Sequence, residues 1–111
     1  MPYQNKQCVE ACNHCLSTAA FCSKACIEDG RPACAKRCLE CIEMCRVMSI
    51  FAARGSLNLA AVATACARIC IACADECDKH DTHHCRACAD ACRRCAAECR
   101  NLTGDPEVVV V

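Results

Sequence analysis

Cysteine is the residue type that dominates the possible chemistry of this sequence, because it occupies 18 of the 111 positions. The cysteines recur every three or four residues, and the stretch CADECDKHDTHHCRACADACRRCAAEC at 73–99 alone holds seven of them. Thiolates bind soft metal ions and are also redox-active, so this pattern indicates metal binding or thiol chemistry. Four groups of cysteines follow one another along the chain: Cys8, Cys12, Cys15, Cys22 and Cys26; Cys34, Cys38, Cys41 and Cys45; Cys66, Cys70, Cys73 and Cys77; and Cys85, Cys88, Cys92, Cys95 and Cys99.

The spacing within each group is typical of an α-helix. Each residue of a helix turns the chain by about 100°, so steps of three and four residues keep the sulfurs on one face. The single longer step runs from Cys15 to Cys22, and Ala19 holds the intervening position on the same face. Each group therefore predicts one helix with a cysteine stripe where a bundle helix usually carries leucine.

Glycine, proline and capping residues separate the four helical segments. Gly30 with Pro32, and Gly55 with Ser56, are typical of a helix end followed by a new helix start, and Asp81 or Thr82 is a suitable N-cap for the last segment. Short connections between helices predict antiparallel neighbours. The fold class is therefore all-α, an antiparallel up-down-up-down four-helix bundle with a Cys-lined core. We predict a single domain at 1–111, with helices at about 4–28, 32–53, 57–80 and 82–102 and a tail at 103–111.

Composition excludes several classes of protein. Thirteen basic and thirteen acidic residues give zero net charge, whereas a nucleic-acid groove or a polybasic membrane surface needs a positive field. The amino terminus has no apolar run as long as a signal peptide core. No apolar run in the sequence reaches the roughly 20 residues of a membrane span. We therefore expect a cytoplasmic protein, and in that compartment dense cysteine indicates metal binding or redox work rather than disulfides.

Charge balance favours Cu(I) as the metal. Cu(I) is soft and prefers thiolate ligands, and about one Cu(I) per bridging thiolate leaves a neutral core. Zinc held by four thiolates keeps two negative charges per site, which is costly inside a narrow bundle. Iron–sulfur ligation predicts a compact cysteine run that ends in proline, and no cysteine here precedes a proline. The predicted ligands are thus all 18 cysteines, binding multiple Cu(I) ions per chain.

The sequence resembles the cytosolic bacterial copper storage proteins. The resemblance rests on the thiol-lined four-helix pattern, on the C-x3-C-x2-C unit or its reverse in every segment, and on the KHDTHHC junction at 79–85. It covers residues 4–102. It implies a four-helix bundle that loads many Cu(I) ions into its core through cysteine thiolates, and it implies a homotetramer.

Antiparallel threading assigns the histidines to one end of the bundle. That end gathers Cys26, Cys34, Cys77 and Cys85 beside the 79–84 loop, where we expect an open mouth. Imidazole is a competent Cu(I) ligand, so His80 and His84 are predicted as additional metal ligands, with His83 as a possible third. His14 lies off the cysteine stripe and is expected on the surface.

Apolar residues gather at the opposite end. Continuing the cysteine steps gives Met48 in the second helix and Leu59 in the third, with Phe51, Val62 and Leu102 nearby. We expect a dry plug there, with Met48 as core filler rather than a thioether ligand. The tail residues Val108–Val111 carry no assigned role.

These observations predict a non-enzymatic store for Cu(I). Two other functions stay open at this point: a zinc or mixed-metal thiolate sink, and a thiol redox buffer. The redox function requires an exposed thiol of low pKa, for which Cys85 is the one candidate. The proteins that donate or accept the copper are unknown.

Overall fold

The computed structural model describes residues 3–103 as a bundle of four α-helices. They are α1 (Lys6–Glu28), α2 (Pro32–Arg54), α3 (Leu59–Cys77) and α4 (His83–Thr103). Each helix packs against its neighbours in sequence, and α1 also packs against α4, so the four helices close into a ring. No β-strand occurs between residues 3 and 103. The predicted all-α four-helix bundle is confirmed, and the topology is consistent with up-down-up-down order.

Two of the eight helix ends, at Glu28 and Pro32, match the prediction, and the other six differ from it by one to three residues. The largest difference is in α3, which runs from Leu59 to Cys77 rather than over 57–80. Its last turn passes into single tighter turns, in which the Lys79 N–H donates to the Glu76 carbonyl and the His80 N–H to the Cys77 carbonyl. Such i to i−3 bonds are typical of a fraying C-terminus.

Local hydrogen bonds determine the starts of α1 and α4. α1 begins at Lys6, two residues later than predicted, because Asn5 has a left-handed φ of 54° and lies outside the helix. Thr82 caps α4 as predicted, since its Oγ1 accepts the Cys85 N–H at 3.1 Å. At their far ends α2 and α4 each extend one residue beyond the predicted limit.

Alanine and cysteine make up most of the core. All 18 cysteines are buried, and Met48 is the largest fully buried side chain in the described chain. Alanines such as Ala19 and Ala74 are fully buried between them. Small side chains leave room around the axis for the sulfur atoms, which take the volume that leucine fills in other bundles.

The chain preceding α1 folds over the end of the bundle at the C-terminus of α2. The Gln4 N–H donates to the Ala53 carbonyl at 3.1 Å, and the Asn5 Nδ2 donates to the Ala52 carbonyl at 2.8 Å. Tyr3 packs against the core from the same segment. These contacts satisfy carbonyls that the helix end leaves without intrahelical partners.

Charged side chains cover the outer faces of the helices. Within residues 3–103, four ion pairs join residues three or four apart on one helix, whereas Arg93 joins α4 to Asp75 and Asp78 of α3 and its C-terminal turn. Exposed pairs of this kind contribute little individually. In residues 3–103 we find no helix whose length and apolar character would allow it to span a membrane.

Candidate metal centre

The 18 sulfur atoms form a continuous network along the bundle axis. The cysteines are free thiols, and the contacts between neighbouring sulfurs range from 3.5 Å for Cys15–Cys41 to 4.0 Å for Cys88–Cys92. Some contacts lie within one stripe, such as Cys8–Cys12 at 3.9 Å. Others cross between helices, so the stripes merge into a single column of sulfur.

Groups of four sulfurs lie within 4.8 Å of one another at several levels of this column. Such groups include Cys22, Cys26, Cys34 and Cys85; Cys22, Cys34, Cys38 and Cys77; Cys38, Cys73, Cys77 and Cys88; Cys15, Cys45, Cys70 and Cys95; and Cys12, Cys66, Cys95 and Cys99. Adjacent groups share members, because Cys22 and Cys34 belong to two groups and so does Cys95. A thiolate in two groups can bridge two metal ions.

Charge balance, more than geometry, favours monovalent over divalent metal. A tetrahedral zinc site with bonds of about 2.3 Å places its sulfurs about 3.8 Å apart, so the distances alone fit zinc as well as copper. Three of the groups have no member in common and could each hold one zinc ion, but each zinc bound by four thiolates would keep two negative charges in the core. Bridging thiolates with one positive charge per sulfur suit a chain of Cu(I) ions and leave little net charge in the core.

Burial keeps many of these thiols protonated. Burial is the main cause that raises the pKa of Cys34 to about 11, and it also raises the pKa of Cys26. The opposite holds for five cysteines, whose pKa values are lowered by hydrogen bonds from neighbouring thiols: Cys12, Cys22, Cys41, Cys73 and Cys95. A metal ion that enters the network must therefore displace protons from most sulfurs, because the thiolate is the ligand.

His84 is the histidine that the structure brings against the sulfurs. Its Nδ1 lies 3.4 Å from the Cys22 sulfur and 3.6 Å from the Cys85 sulfur, while its Nε2 lies 3.2 Å from Asp29 Oδ2. The contact with Cys22 is the main cause that raises the pKa of His84 above 6.5, and Asp29 adds to it. A carboxylate on the outer nitrogen orients a histidine toward a metal on the inner one.

The other predicted histidines have different surroundings: His80 pairs with a carboxylate, and His83 is exposed to solvent. His80 Nε2 is 3.1 Å from Glu76 Oε2, and the His80 side chain is 22% exposed. Burial opposes ionisation of Glu76, but hydrogen bonds from His80 and Lys79 outweigh it and lower the pKa of the carboxyl. His83 and His14 are exposed.

Two carboxylates at the histidine end were absent from the sequence-based prediction. Glu76 lies four residues before His80, a helical spacing that could have indicated the contact. Asp29 contacts His84 across 55 residues, and no local pattern reveals that pairing.

The apolar end of the core is only half closed. Met48, Ala52 and Ala63 are fully buried on the α2 and α3 side, and Phe51, Leu59, Val62 and Leu102 are half-buried there or nearby. On the α1 and α4 side the sulfur stripes continue, with Cys8 in the first turns of α1 and Cys99 in the last turns of α4. The predicted dry plug is therefore confined to half of the bundle end.

Comparison with known proteins identifies a family with the same sequence pattern. A family profile described as copper storage protein matches residues 1–104. An uncharacterized cysteine-rich protein, YhjQ of Bacillus subtilis, is 34% identical over 106 residues, covering 92% of this chain and 98% of that protein.

Solved structures of copper storage proteins share the fold. Cu(I)-bound copper storage protein BsCsp3 matches with a TM-score of 0.84 at 34% identity, over 88% of this chain and 96% of that one. A cytosolic copper storage protein from Streptomyces lividans, in a structure with five coppers, matches with a TM-score of 0.85 at 31% identity, over 91% of this chain and 92% of that one.

Proposed function

This chain belongs to the copper storage protein family, and from that premise we propose that it stores Cu(I) ions inside the bundle as bridged thiolate complexes. The observation that carries the proposal is the continuous column of shared four-sulfur groups along the axis. The ligands are the 18 cysteines, with His84 as a terminal ligand at its end of the column. Among the relatives of known structure, BsCsp3 is Cu(I)-bound and the Streptomyces lividans protein is loaded with 10 copper equivalents.

The bundle provides the ligands before any metal arrives. Loops, caps and packed alanines hold the helices together, so copper does not have to organise the chain. Each Cu(I) that enters displaces protons from thiols and neutralises the thiolates that remain. Storage of this kind needs no catalytic step.

Neither other function predicted from sequence is favoured. The redox function needs an accessible thiol of low pKa, but Cys85, its one candidate, is fully buried. The zinc function would leave two negative charges per four-thiolate site in the buried core, and the copper storage proteins compared above hold copper.

His80 has weaker support as a ligand than His84. It lies at the same end of the bundle, but its ring nitrogen pairs with Glu76. Copper would have to compete with that carboxylate for the imidazole, and His83 would have to move in from solvent. We therefore propose His84 as the principal histidine at this end.

We propose a cytoplasmic homotetramer. The Streptomyces relative is described as cytosolic, which supports the location. Leu39, Val47 and Ile50 share one face of α2 and are 51%, 37% and 52% exposed, which supports association through that face. Sedimentation equilibrium of the apo protein tests the tetramer, and a monomer mass would contradict it.

The experiment that tests storage is an anaerobic Cu(I) titration of the reduced apo protein. A competing chelator reports tight binding, and far-UV circular dichroism is recorded at each point. We expect more than about a dozen tightly bound ions per chain, given bridging thiolates, with full helicity before any copper is added. Saturation at one or two ions would refute storage, and saturation by about four zinc ions that resist replacement by Cu(I) would indicate the zinc sink.

A matched pair of variants shows that thiols set the capacity. Cys70→Ser removes one sulfur from the column and should lower the copper count. Ser23→Ala changes a buried residue of α1 whose hydroxyl bonds the Ala20 carbonyl, and it should leave the count unchanged.

A further inference from the structure

The most exposed cysteine lies at the end of the column opposite His84. Cys8 is 3% exposed, whereas Cys77 is 1% exposed and the other 16 cysteines, including those around His84, are 0% exposed. Cys8 and Cys22 are 14 residues apart on α1, which corresponds to about 21 Å along the helix. Among the cysteines, the stripe therefore comes nearest to solvent at the end away from His84.

A surface cleft leads to Cys8. It has a volume of about 250 Å³ and lies between the start of α1 and the end of α4. Gln7 lines it from α1, while Glu98 and Asn101 line it from α4. A cleft of this size admits a small molecule, and its walls combine a largely apolar surface with the amide and charged groups of these side chains.

The column continues without a break from this cleft into the core. The Cys8 sulfur lies 3.9 Å from Cys12, and Cys12 lies 3.6 Å from Cys95. Cys95 in turn lies 3.8 Å from Cys45 near the middle of the bundle. A copper ion bound at Cys8 can pass inward by exchange between neighbouring sulfurs.

The half-closed plug explains why the opening lies on this side. Met48 and Ala63 occupy the positions on α2 and α3 where the cysteine steps would continue, and both are fully buried. The stripes of α1 and α4 instead keep their sulfur at this end, in Cys8 and Cys99. Apolar side chains thus cover one half of the end and leave the other half to thiols beside the cleft.

We propose that the cleft at Cys8 is a second copper portal, where Cu(I) is exchanged with low-molecular-weight thiols. The proposal rests on the proposed storage function. In the exchange the Cys8 sulfur forms a bond to Cu(I), the bond from Cu(I) to the carrier sulfur breaks, and the Cys8 proton passes to the departing carrier thiol. Copper remains Cu(I) throughout, so no oxidant or reductant takes part. The two ends of the column then load and unload independently.

The test measures the rate of copper uptake when either end is filled by a bulky side chain. Cu(I) is supplied to reduced apo protein as its glutathione complex, and uptake is followed by the ultraviolet absorbance of Cu(I)–thiolate bonds. His84→Trp fills the histidine end, and Gln7→Trp or Asn101→Trp fills the cleft from either wall. Asn13→Trp is the matched control, because it adds the same side chain at an exposed position of α1 away from the cleft.

We expect His84→Trp to keep taking up copper through the cleft. Adding Gln7→Trp or Asn101→Trp to it should slow uptake about tenfold, because thiol exchange depends on access to the sulfur. Adding Asn13→Trp should change the rate less than about twofold. Equal rates for the cleft variants and the control, in proteins with unchanged helicity, would overturn the portal.

The final copper count separates this proposal from the storage function. The cleft variants change no thiol, so each should reach the wild-type count after long incubation. A wild-type protein that binds only one or two ions would refute storage itself. A full copper count, together with uptake rates that the cleft variants leave unchanged, would refute only the second portal.

Discussion

At the scale of single residues, His84 joins the sulfur column to the surface. One ring nitrogen faces two thiols and the other faces the Asp29 carboxylate. A histidine held on both sides has a defined ring orientation before metal binds. The ring can then bind a Cu(I) ion at its inner nitrogen in place of the thiol contacts.

We expect an elevated His84 pKa in the apo protein. The Cys22 contact and the Asp29 carboxylate both favour the imidazolium and raise the pKa above 6.5. Because the folded pKa exceeds the unfolded one, this stabilisation is complete below about 6.5 and is lost as the pH rises through the folded pKa. Nuclear magnetic resonance titration of the His84 ring measures the folded value directly.

Asp29→Asn provides the control for this titration. It keeps the size of the side chain but removes the negative charge, so the His84 midpoint should fall while the copper count stays the same. An unchanged midpoint would contradict a role for Asp29 in holding the ring.

The positions of the proposed metal ligands were predictable from sequence to different extents. Helical spacing alone predicts cysteines on inward faces, and all 18 are buried in the structure. The histidines are ambiguous, because a loop position does not say which ring turns inward. His80 pairs with Glu76, while His84 reaches Cys22 because α1 and α4 are neighbours, and that contact depends on tertiary packing.

At the scale of single helices, Ala19 is the gap in the α1 stripe. It is fully buried and lies between Cys15 and Cys22, where the other helices carry sulfur at every step. We expect Ala19→Cys to add a thiol to the column and to raise the capacity by about one Cu(I) per chain. The added sulfur overpacks a tight position, so the apo protein should lose about 1–3 kcal/mol of unfolding free energy.

Ala20→Cys is the matched control for Ala19→Cys. Ala20 is exposed on the same helix, so a thiol there lies off the column and should leave the tight copper count unchanged. Equal counts for both variants, read from the chelator titration, would mean that position on the stripe does not determine binding.

Two glycines follow helix ends in left-handed conformations, and replacing each by alanine should lower the unfolding free energy by different amounts. Gly30 has a φ of 76°, and a Cβ added there would have no atom within 4 Å. Gly55 has a φ of 62°, and a Cβ added there would lie 2.7 Å from Gln4 Oε1. Gly30→Ala should therefore cost only backbone strain, about 1 kcal/mol of unfolding free energy. Gly55→Ala should cost more, because the Gln4 side chain must also move.

Denaturant unfolding of the reduced apo variants measures this difference. Combining Gln4→Ala with Gly55→Ala should bring the cost of the alanine down to that of Gly30→Ala. If Gly55→Ala lowers the unfolding free energy equally with and without the Gln4 side chain, then contact with Gln4 does not contribute to the cost of that substitution.

Helix existence was predictable, and helix ends were less so. Each segment combines a cysteine stripe with abundant alanine, a strong helix former, and the turn residues at 30 and 55 separate the segments. Each helix end depends on one or two hydrogen bonds, in which a bond within the helix competes with a bond to another part of the chain. The start of α1 is one example, because Asn5 leaves the helix to donate to the Ala52 carbonyl on another helix.

At the scale of the whole molecule, the column is a set of protonated thiols enclosed by a preformed scaffold. Its apo form avoids the cost of burying many charges, because burial raises the pKa of thiols such as Cys34 and Cys26. Copper replaces those protons with monovalent cations. The core can therefore fill without a large change in its net charge.

Copper loading should therefore release protons and should weaken at low pH. The loaded state holds fewer protons than the apo state, so a fall in pH favours the apo state. We expect about one proton released for each thiol of raised pKa that binds copper. Fewer should come from Cys12, Cys22, Cys41, Cys73 and Cys95, because hydrogen bonds from neighbouring thiols lower the pKa of each. Titration in weakly buffered solution counts the protons, and chelator competition at several pH values gives the affinity once the chelator's own pH dependence is measured without protein. An affinity that does not change with pH would mean that the thiols are already ionised in the apo protein, and the account of a neutral core would then fail.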